Sequence, residues 1–193
     1  MNHKKKKEVP ELSQLKAELR RERYKHRYSS VLRSTIYTLI TVAAVAVLVA
    51  TLWLPVLQIY GNSMTPTLED GEIVFSVKTS DMNPGDIIAF YYNNKILVKR
   101  VIAGPGDWVD IDEHGSVFIN DEELDEPYLT EKAYGEPNIE FPYQVPDDKF
   151  FVLGDHRATS VDSRHSEVGC VSQEQVVGKI TFRVWPLERL GSF

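Results

Sequence analysis

A serine hydroxyl attacks a peptide carbonyl poorly unless a base takes its proton, so a useful serine needs a partner. Ser63 stands in the stretch Gln58-Ile59-Tyr60-Gly61-Asn62-Ser63-Met64-Thr65-Pro66-Thr67-Leu68, directly after a long apolar run. Gly61 lets the backbone take a positive φ or approach another group closely. Taken alone, a serine beside a glycine reads as a turn or cap. Five histidines could serve as the base. His3 and His26 lie in the basic N-terminal segment, His114 in a turn, and His156 and His165 in a polar loop. A Ser/His/Asp triad stays open on residue types, and nothing favours it.

Lysine is the other candidate base. In Lys95-Ile96-Leu97-Val98-Lys99-Arg100-Val101-Ile102 a strand puts Leu97, Lys99 and Val101 on one face and Ile96, Val98, Arg100 and Ile102 on the other. Both faces are mostly apolar, so either Lys99 or Arg100 shares a face with core-like residues. Burial lowers a lysine pKa because the ammonium is costly to desolvate, which leaves an amine able to accept a proton. Arginine stays protonated and cannot do this.

A third cluster runs Gly154-Asp155-His156-Arg157-Ala158-Thr159-Ser160-Val161-Asp162-Ser163-Arg164-His165. Its acids, arginines and serines can lock a loop through charge-assisted hydrogen bonds, and such a loop could orient a catalytic lysine. His156 and His165 lack the spacing and third ligand of a zinc site. Cys170, the one cysteine, excludes an intrachain disulfide and a thiolate metal site and reads as a small apolar residue.

These groups must be carried by a chain of two electrostatic characters. Residues 1–33 hold eleven Lys/Arg against four Asp/Glu, and the remaining 160 hold eleven against twenty-four. The acidic body disfavours nucleic acid as a partner, since phosphate is repelled. Ile36 to Leu57 is uncharged for 22 residues, about 33 Å as a helix and enough to cross a hydrocarbon core of about 30 Å. Trp53 near its far end suits a lipid–water interface. The bases before Ile36 put residues 1–35 in the cytoplasm and residues 58–193 outside. Ser63 is then held within about 20 Å of the outer surface. Glu11–Tyr28 reads as helical, with Leu12, Leu15 and Leu19 on one stripe.

Beyond the span the pattern is β. Glu72–Val77, Ile87–Tyr92, Ile96–Ile102, Trp108–Ile111, Val117–Ile119, Lys149–Val152 and Val176–Val184 are short runs rich in Ile, Val, Phe and Tyr, divided by Gly, Asn, Asp and Pro turns. Residues 120–147 are acidic and proline-rich and read as an irregular excursion from the sheet.

The blocks GNSMTPTL (Gly61–Leu68), GDIIAF (Gly85–Phe90), LVKRVIAGPGDWV (Leu97–Val109), GDHRATSVDSR (Gly154–Arg164) and GKITFRVWPL (Gly178–Leu187) occur in this order. Together they resemble the bacterial type I signal peptidases, the Ser/Lys-dyad signal peptidase family. The resemblance implies a mostly β fold: a signal-peptidase-like β catalytic core with a small second β region, residues 112–146, preceded by one N-terminal transmembrane helix. It divides the chain into a basic cytoplasmic segment 1–35, a transmembrane helix 36–57 and an extracytoplasmic peptidase domain 58–193. Ser63 aligns with the nucleophile and Lys99 with the general base. Ser160 matches a serine that orients the lysine, Asp162 and Arg164 a supporting pair, and Asp155 belongs to the same loop motif.

The implied substrates are secretory pre-proteins, cut after small residues at the first and third positions before the bond, with no metal or cofactor. Membrane lipid is the second expected partner, in the bacterial cell membrane, and contact with protein translocation machinery is compatible with that place. Three positions depart from the pattern. Gly61 stands where some members carry a side-chain oxyanion donor, which leaves backbone N–H groups, that of Ser63 included, to do the work. His156 replaces the usual asparagine, and residues 165–169 lengthen the gap before a glycine. A self-cleaving repressor lacks support here because it needs a DNA-binding module, and an inactive assembly factor would not need both Ser63 and Lys99.

Overall fold

A computed structural model of the chain describes residues 12–53 and 55–193 and divides it into two compact units, residues 1–49 and residues 50–193. Residues 1–11, which include His3 and the basic run Lys4 to Lys7, lie outside the described residues.

The described residues of the first unit belong to one helix, α1 (Leu12–Trp53). Two helices, over Glu11–Tyr28 and Ile36–Leu57, were expected; α1 is continuous from one to the other. It is long and apolar enough to cross a membrane. Three threonines inside it satisfy their hydroxyls locally. Thr35, Thr38 and Thr41 donate to the carbonyls of Val31, Ser34 and Tyr37 at 2.9–3.0 Å, which makes a polar side chain tolerable on an apolar helix. The helix does not reach Leu57. Pro55 has no N–H for a helical bond and disfavours helix before it, and Val56 already belongs to a strand.

The second unit is β. Its strands are β1 (Val56–Gln58), β2 (Ile73–Val77), β3 (Ile87–Tyr92), β4 (Lys95–Ala103), β5 (Trp108–Ile111), β6 (Val117–Ile119), β7 (Glu122–Glu123), β8 (Tyr143–Gln144), β9 (Lys149–Leu153), β10 (Val171–Ser172), β11 (Val176–Trp185) and β12 (Gly191–Ser192). An antiparallel sheet has the order β1-β2-β11-β3-β4-β9-β10, with β12 also on β11. A smaller antiparallel sheet has the order β7-β6-β5-β8. This second β region begins at Trp108, earlier than the expected 112–146, and the acidic excursion contributes β7 and β8 to it.

Alternate residues of β3 explain its unbroken apolar sequence. Ile87 and Ala89 join Ile59, Met64, Leu68, Val74 and Ile180 on one face, and Ile88 and Phe90 join Val101, Val152 and Val171 on the other. A strand buried on both faces has no polar side to display. β9 divides similarly: Phe150 and Val152 face the second cluster, while Phe151 and Leu153 join Ile102, Val109, Ile111, Val117 and Val145 of a third. Phe151 thus fastens the small sheet to the large one. Its ring centroid lies 6.4 Å from that of Phe141 and 5.9 Å from that of Tyr143. Phe151→Ala should cost about 3–5 kcal/mol in denaturant unfolding of the full chain. A loss below about 1 kcal/mol, small for a core truncation, would mean that this packing does not hold the two sheets together.

Candidate active site

Ser63 opens a turn that continues through Thr67, between the end of β1 and β2. The turn is anchored by two side chains that the core swallows: Met64 is 2 % and Leu68 0 % exposed. Leu68 N–H donates to Met64 O at 2.9 Å, and Thr65 N–H to Asn62 O at 3.2 Å. Gly61, just before it, has φ +84° with open space where a Cβ would stand. Its need is therefore the left-handed backbone and not close approach. Its N–H is held by Asp70 Oδ1 at 2.6 Å.

Lys99 comes to this turn from the middle of β4. Its Nζ lies 2.6 Å from Ser63 Oγ, and the residue is 3 % exposed. Burial pushes the Lys99 pKa down from 10.5 to about 8, against the carboxylates of Asp162 and Asp155, which raise it; the Arg164 guanidinium lowers it further. Arg100 is buried too, at 7 %. Alternation along β4 left the two residues as rivals for a core-like face, and the protein buries both.

The loop after β9 closes the other side. His156 N–H donates to Ser63 O at 3.1 Å. Gly154 makes that contact feasible: a Cβ there would collide with the Ser160 hydroxyl and stand 2.5 Å from Ser63 O. Asp155 accepts from Arg100 Nε at 2.9 Å and Nη2 at 2.6 Å, and from Thr67 Oγ1 at 2.5 Å. Asp162 accepts from Arg164 Nε at 2.9 Å and Nη2 at 3.0 Å, and from Gly154 N–H at 3.1 Å. Arg164 also donates to Tyr134 O and Arg157 O, both at 2.8 Å.

The expected site residues with polar side chains, Ser160 excepted, thus make side-chain hydrogen bonds in this arrangement. Ser160 is 3 % exposed, yet its Oγ has no hydrogen-bond partner among the described residues. Its expected bond to the lysine is not made in this arrangement. The histidines of the second unit do not meet the Ser63 hydroxyl. His156 Nδ1 pairs with Thr159 Oγ1 at 2.6 Å, His165 Nδ1 accepts weakly from Asp162 N–H at 3.5 Å, and His114 is exposed beside Glu113. The partner that Ser63 Oγ meets is an amine.

Sequence reasoning missed several supports. Arg100 stacks on Tyr128, with its guanidinium carbon 3.8 Å from the ring centroid. Arg157 and Glu126 form a buried pair, and Glu126 accepts from Tyr128 at 2.7 Å. Glu126 comes from the acidic excursion, where no spacing separates a buried acid from solvated ones. Arg100 had a signal, since an arginine on a strand apolar on both faces needs a buried acid nearby.

A cleft of about 580 Å³ leads away from Ser63 and Lys99, walled by Leu57–Gly61 on one side and Asn94–Val98 on the other. β4 pairs with β3 from Lys95 to Arg100, but β9 pairs only with Arg100, Val101 and Ala103. The first half of β4 thus has an open edge along the cleft.

The family signature described as Signal peptidase, peptidase S26, matches residues 32–185. Signal peptidase I of Streptococcus pneumoniae serotype 4 is 34% identical over 175 residues, 70% of this chain and 84% of that protein. Signal peptidase IB of Staphylococcus aureus is 38% identical over 148 residues, 66% of this chain and 76% of that protein. A crystal structure of a signal peptidase I from Enterococcus faecalis V583 has 32% identity and a TM-score of 0.46, covering 52% of this chain and 97% of that one. With the family signature across most of its length and relatives of this similarity, the chain belongs to the signal peptidase family, peptidase S26, among its bacterial type I members.

Proposed function

We propose that the protein is a membrane-anchored serine endopeptidase that removes N-terminal signal peptides from exported pre-proteins, with Ser63 as nucleophile and Lys99 as general base. The observation that carries this reading is the buried Lys99 amine 2.6 Å from the Ser63 hydroxyl. Neutral Lys99 takes the hydroxyl proton as Ser63 Oγ attacks the scissile carbonyl carbon. The resulting Lys99 ammonium returns that proton to the leaving amine as the C–N bond breaks. Water, deprotonated by Lys99, then hydrolyses the acyl-enzyme and regenerates both groups. The Ser63 N–H, which has no acceptor among the described residues, suits the developing oxyanion.

An extended substrate segment fits the open edge of β4 by backbone hydrogen bonds. Leu57, Ile59, Met64, Leu97 and Val98 line the cleft and favour small apolar side chains near the bond. The helix α1 anchors the enzyme, with the basic segment in the cytoplasm and residues 58–193 outside. Tethering enzyme and pre-protein to one membrane raises their effective concentration.

Three outcomes follow. Ser63→Ala and Lys99→Ala should each abolish cleavage of a purified pre-protein while leaving the chain folded. With the Lys99 pKa at about 8, kcat/KM should fall about tenfold per pH unit below that value, and His156→Asn should leave this limb in place. A limb near pH 6.5, the range of an ordinary histidine, that vanishes in His156→Asn would make His156 the base.

Lys99 should also weaken the fold it serves. A pKa lowered from 10.5 to about 8 corresponds to about 3 kcal/mol. The folded state holds the charged form poorly, so the cost is full below pH 8. It fades from there to pH 10.5, where only the unfolded lysine is protonated. Lys99→Met should therefore raise unfolding free energy at pH 7, and the gain should shrink as pH approaches 10. Equal or lower stability in Lys99→Met at pH 7 would show that burial is not what holds the pKa down.

The orientation is open to a protection experiment. Protease added outside intact, wall-stripped cells should digest residues 58–193. Protection of that region, with loss of the N-terminal segment, would reverse the topology.

A further inference from the structure

The chain beyond Trp185 lines no part of the cleft, yet it grips the turn that carries Ser63. After β11 the chain makes a short 3-10 turn at Leu187–Arg189 and returns as β12 to pair with Phe182 and Arg183. Arg183 Nη2 donates to Thr67 O at 2.5 Å, and Arg189 Nη2 to Pro66 O at 3.4 Å. Two successive carbonyls of the nucleophile turn are thus capped by two guanidinium groups.

Glu72 ties the arginines together. It is 3 % exposed, and its two carboxylate oxygens lie 3.0 Å from Arg183 Nε and 3.0 Å from Arg189 Nη1. Neither contact is aligned as a hydrogen bond, so the hold is Coulombic. Arg189 also pairs with Glu69 at 2.5 Å. The ring of Phe193 covers the Arg183 guanidinium, with its centroid 4.9 Å away. Glu72 O accepts Ile59 N–H at 2.8 Å, which links the same residue to the cleft wall before Ser63. From the other side, Thr67 Oγ1 is bound by Asp155 and Arg100. The turn is therefore clamped by its carbonyls on one side and its hydroxyl on the other.

We infer that Arg183 and Arg189, joined by Glu72, are positioning residues that fix Pro66–Thr67 so that Ser63 Oγ stays within reach of Lys99, with the C-terminal segment as the strap that holds them. The inference rests on the reading of Ser63 and Lys99 given above. Lys99 belongs to β4 and does not depend on the clamp. Loosening the clamp should shift the nucleophile alone, and a shift of about 1 Å can cost up to about a hundredfold in rate. The open edge of β4 is untouched, so substrate binding should persist.

The test uses the full chain in detergent and a purified pre-protein substrate. Arg189 is the better first target, because its side chain is 36% exposed and its loss should leave the fold intact. Arg189→Gln should lower kcat about tenfold, a fraction of what such a displacement can cost, with KM within about twofold and an unchanged acid limb. Arg189→Lys should recover part of the loss by restoring the charge beside Glu72 and Glu69. Arg183→Lys, which keeps a charge but loses the fork, should likewise lower kcat more than KM rises. Full kcat in both Arg189→Gln and Arg183→Lys overturns the inference, as does a kcat that falls only with the folded fraction. Ser63→Ala, assayed alongside, separates the two levels. If it is inactive while the arginine variants turn over normally, only the clamp is wrong; if it is active, the Ser63 reading and the clamp both fall.

Discussion

Taking the Lys99 ammonium out of water is costly, and that cost outweighs the pull of Asp162 and Asp155, which would keep the amine charged. The balance depends on what those two carboxylates are doing. Each is already committed to an arginine: Asp155 to Arg100 and Asp162 to Arg164. A carboxylate with a bidentate guanidinium beside it presents less net charge to a third group than a bare one does. The same acids left unpaired would draw the lysine pKa further up. The arrangement keeps acids near the amine for their geometry while the Arg164 guanidinium offsets part of their pull.

Buried ion pairs are weak evidence for stability, because desolvation offsets much of their attraction. Their value here lies in direction. Arg164 reaches the carbonyls of Tyr134 and Arg157 while paired with Asp162, and so joins the excursion to the loop behind Ser63. Arg100, next to Lys99 on β4, reaches Asp155 and Thr67. A single strand therefore supplies both the proposed base and one of the anchors for the turn that carries the proposed nucleophile. Any slip of β4 by one residue would exchange them, since adjacent residues face opposite ways.

The longer strands were legible because apolar β-branched runs bounded by turn residues carry a period that can be counted. β3, β5 and β6 have the bounds that their sequence implies, and β2, β4, β9 and β11 differ by a residue or two. β7, β8, β10 and β12 have two residues each, too few to show any period, and they form because longer partners template them. The bringing together of Ser63, Lys99 and residues 154–164 followed from the ordered blocks of the resemblance and not from alternation, which left Lys99 and Arg100 equal. Glu126, Arg183 and Glu72 were illegible for a different reason. Whether an acid or arginine is buried is decided by its partner, and each of these partners lies more than thirty residues away.

An open strand edge is ordinarily a hazard, since it invites pairing with any extended chain. The free edge of β4 is short, with β9 taking over at Arg100, and it ends at the Asn93-Asn94 turn, whose residues have φ of 43° and 62°. Lys95 stands at its mouth, a charge of the kind that discourages edge-to-edge association. The facing wall, Leu57–Gly61, stands across the cleft from that edge and obstructs a flat partner sheet. In the proposed function the device that limits edge pairing also limits substrates. In the proposed reaction a substrate segment that is extended, single and slender lies between the two walls and brings its carbonyl to the hydroxyl beside Lys99.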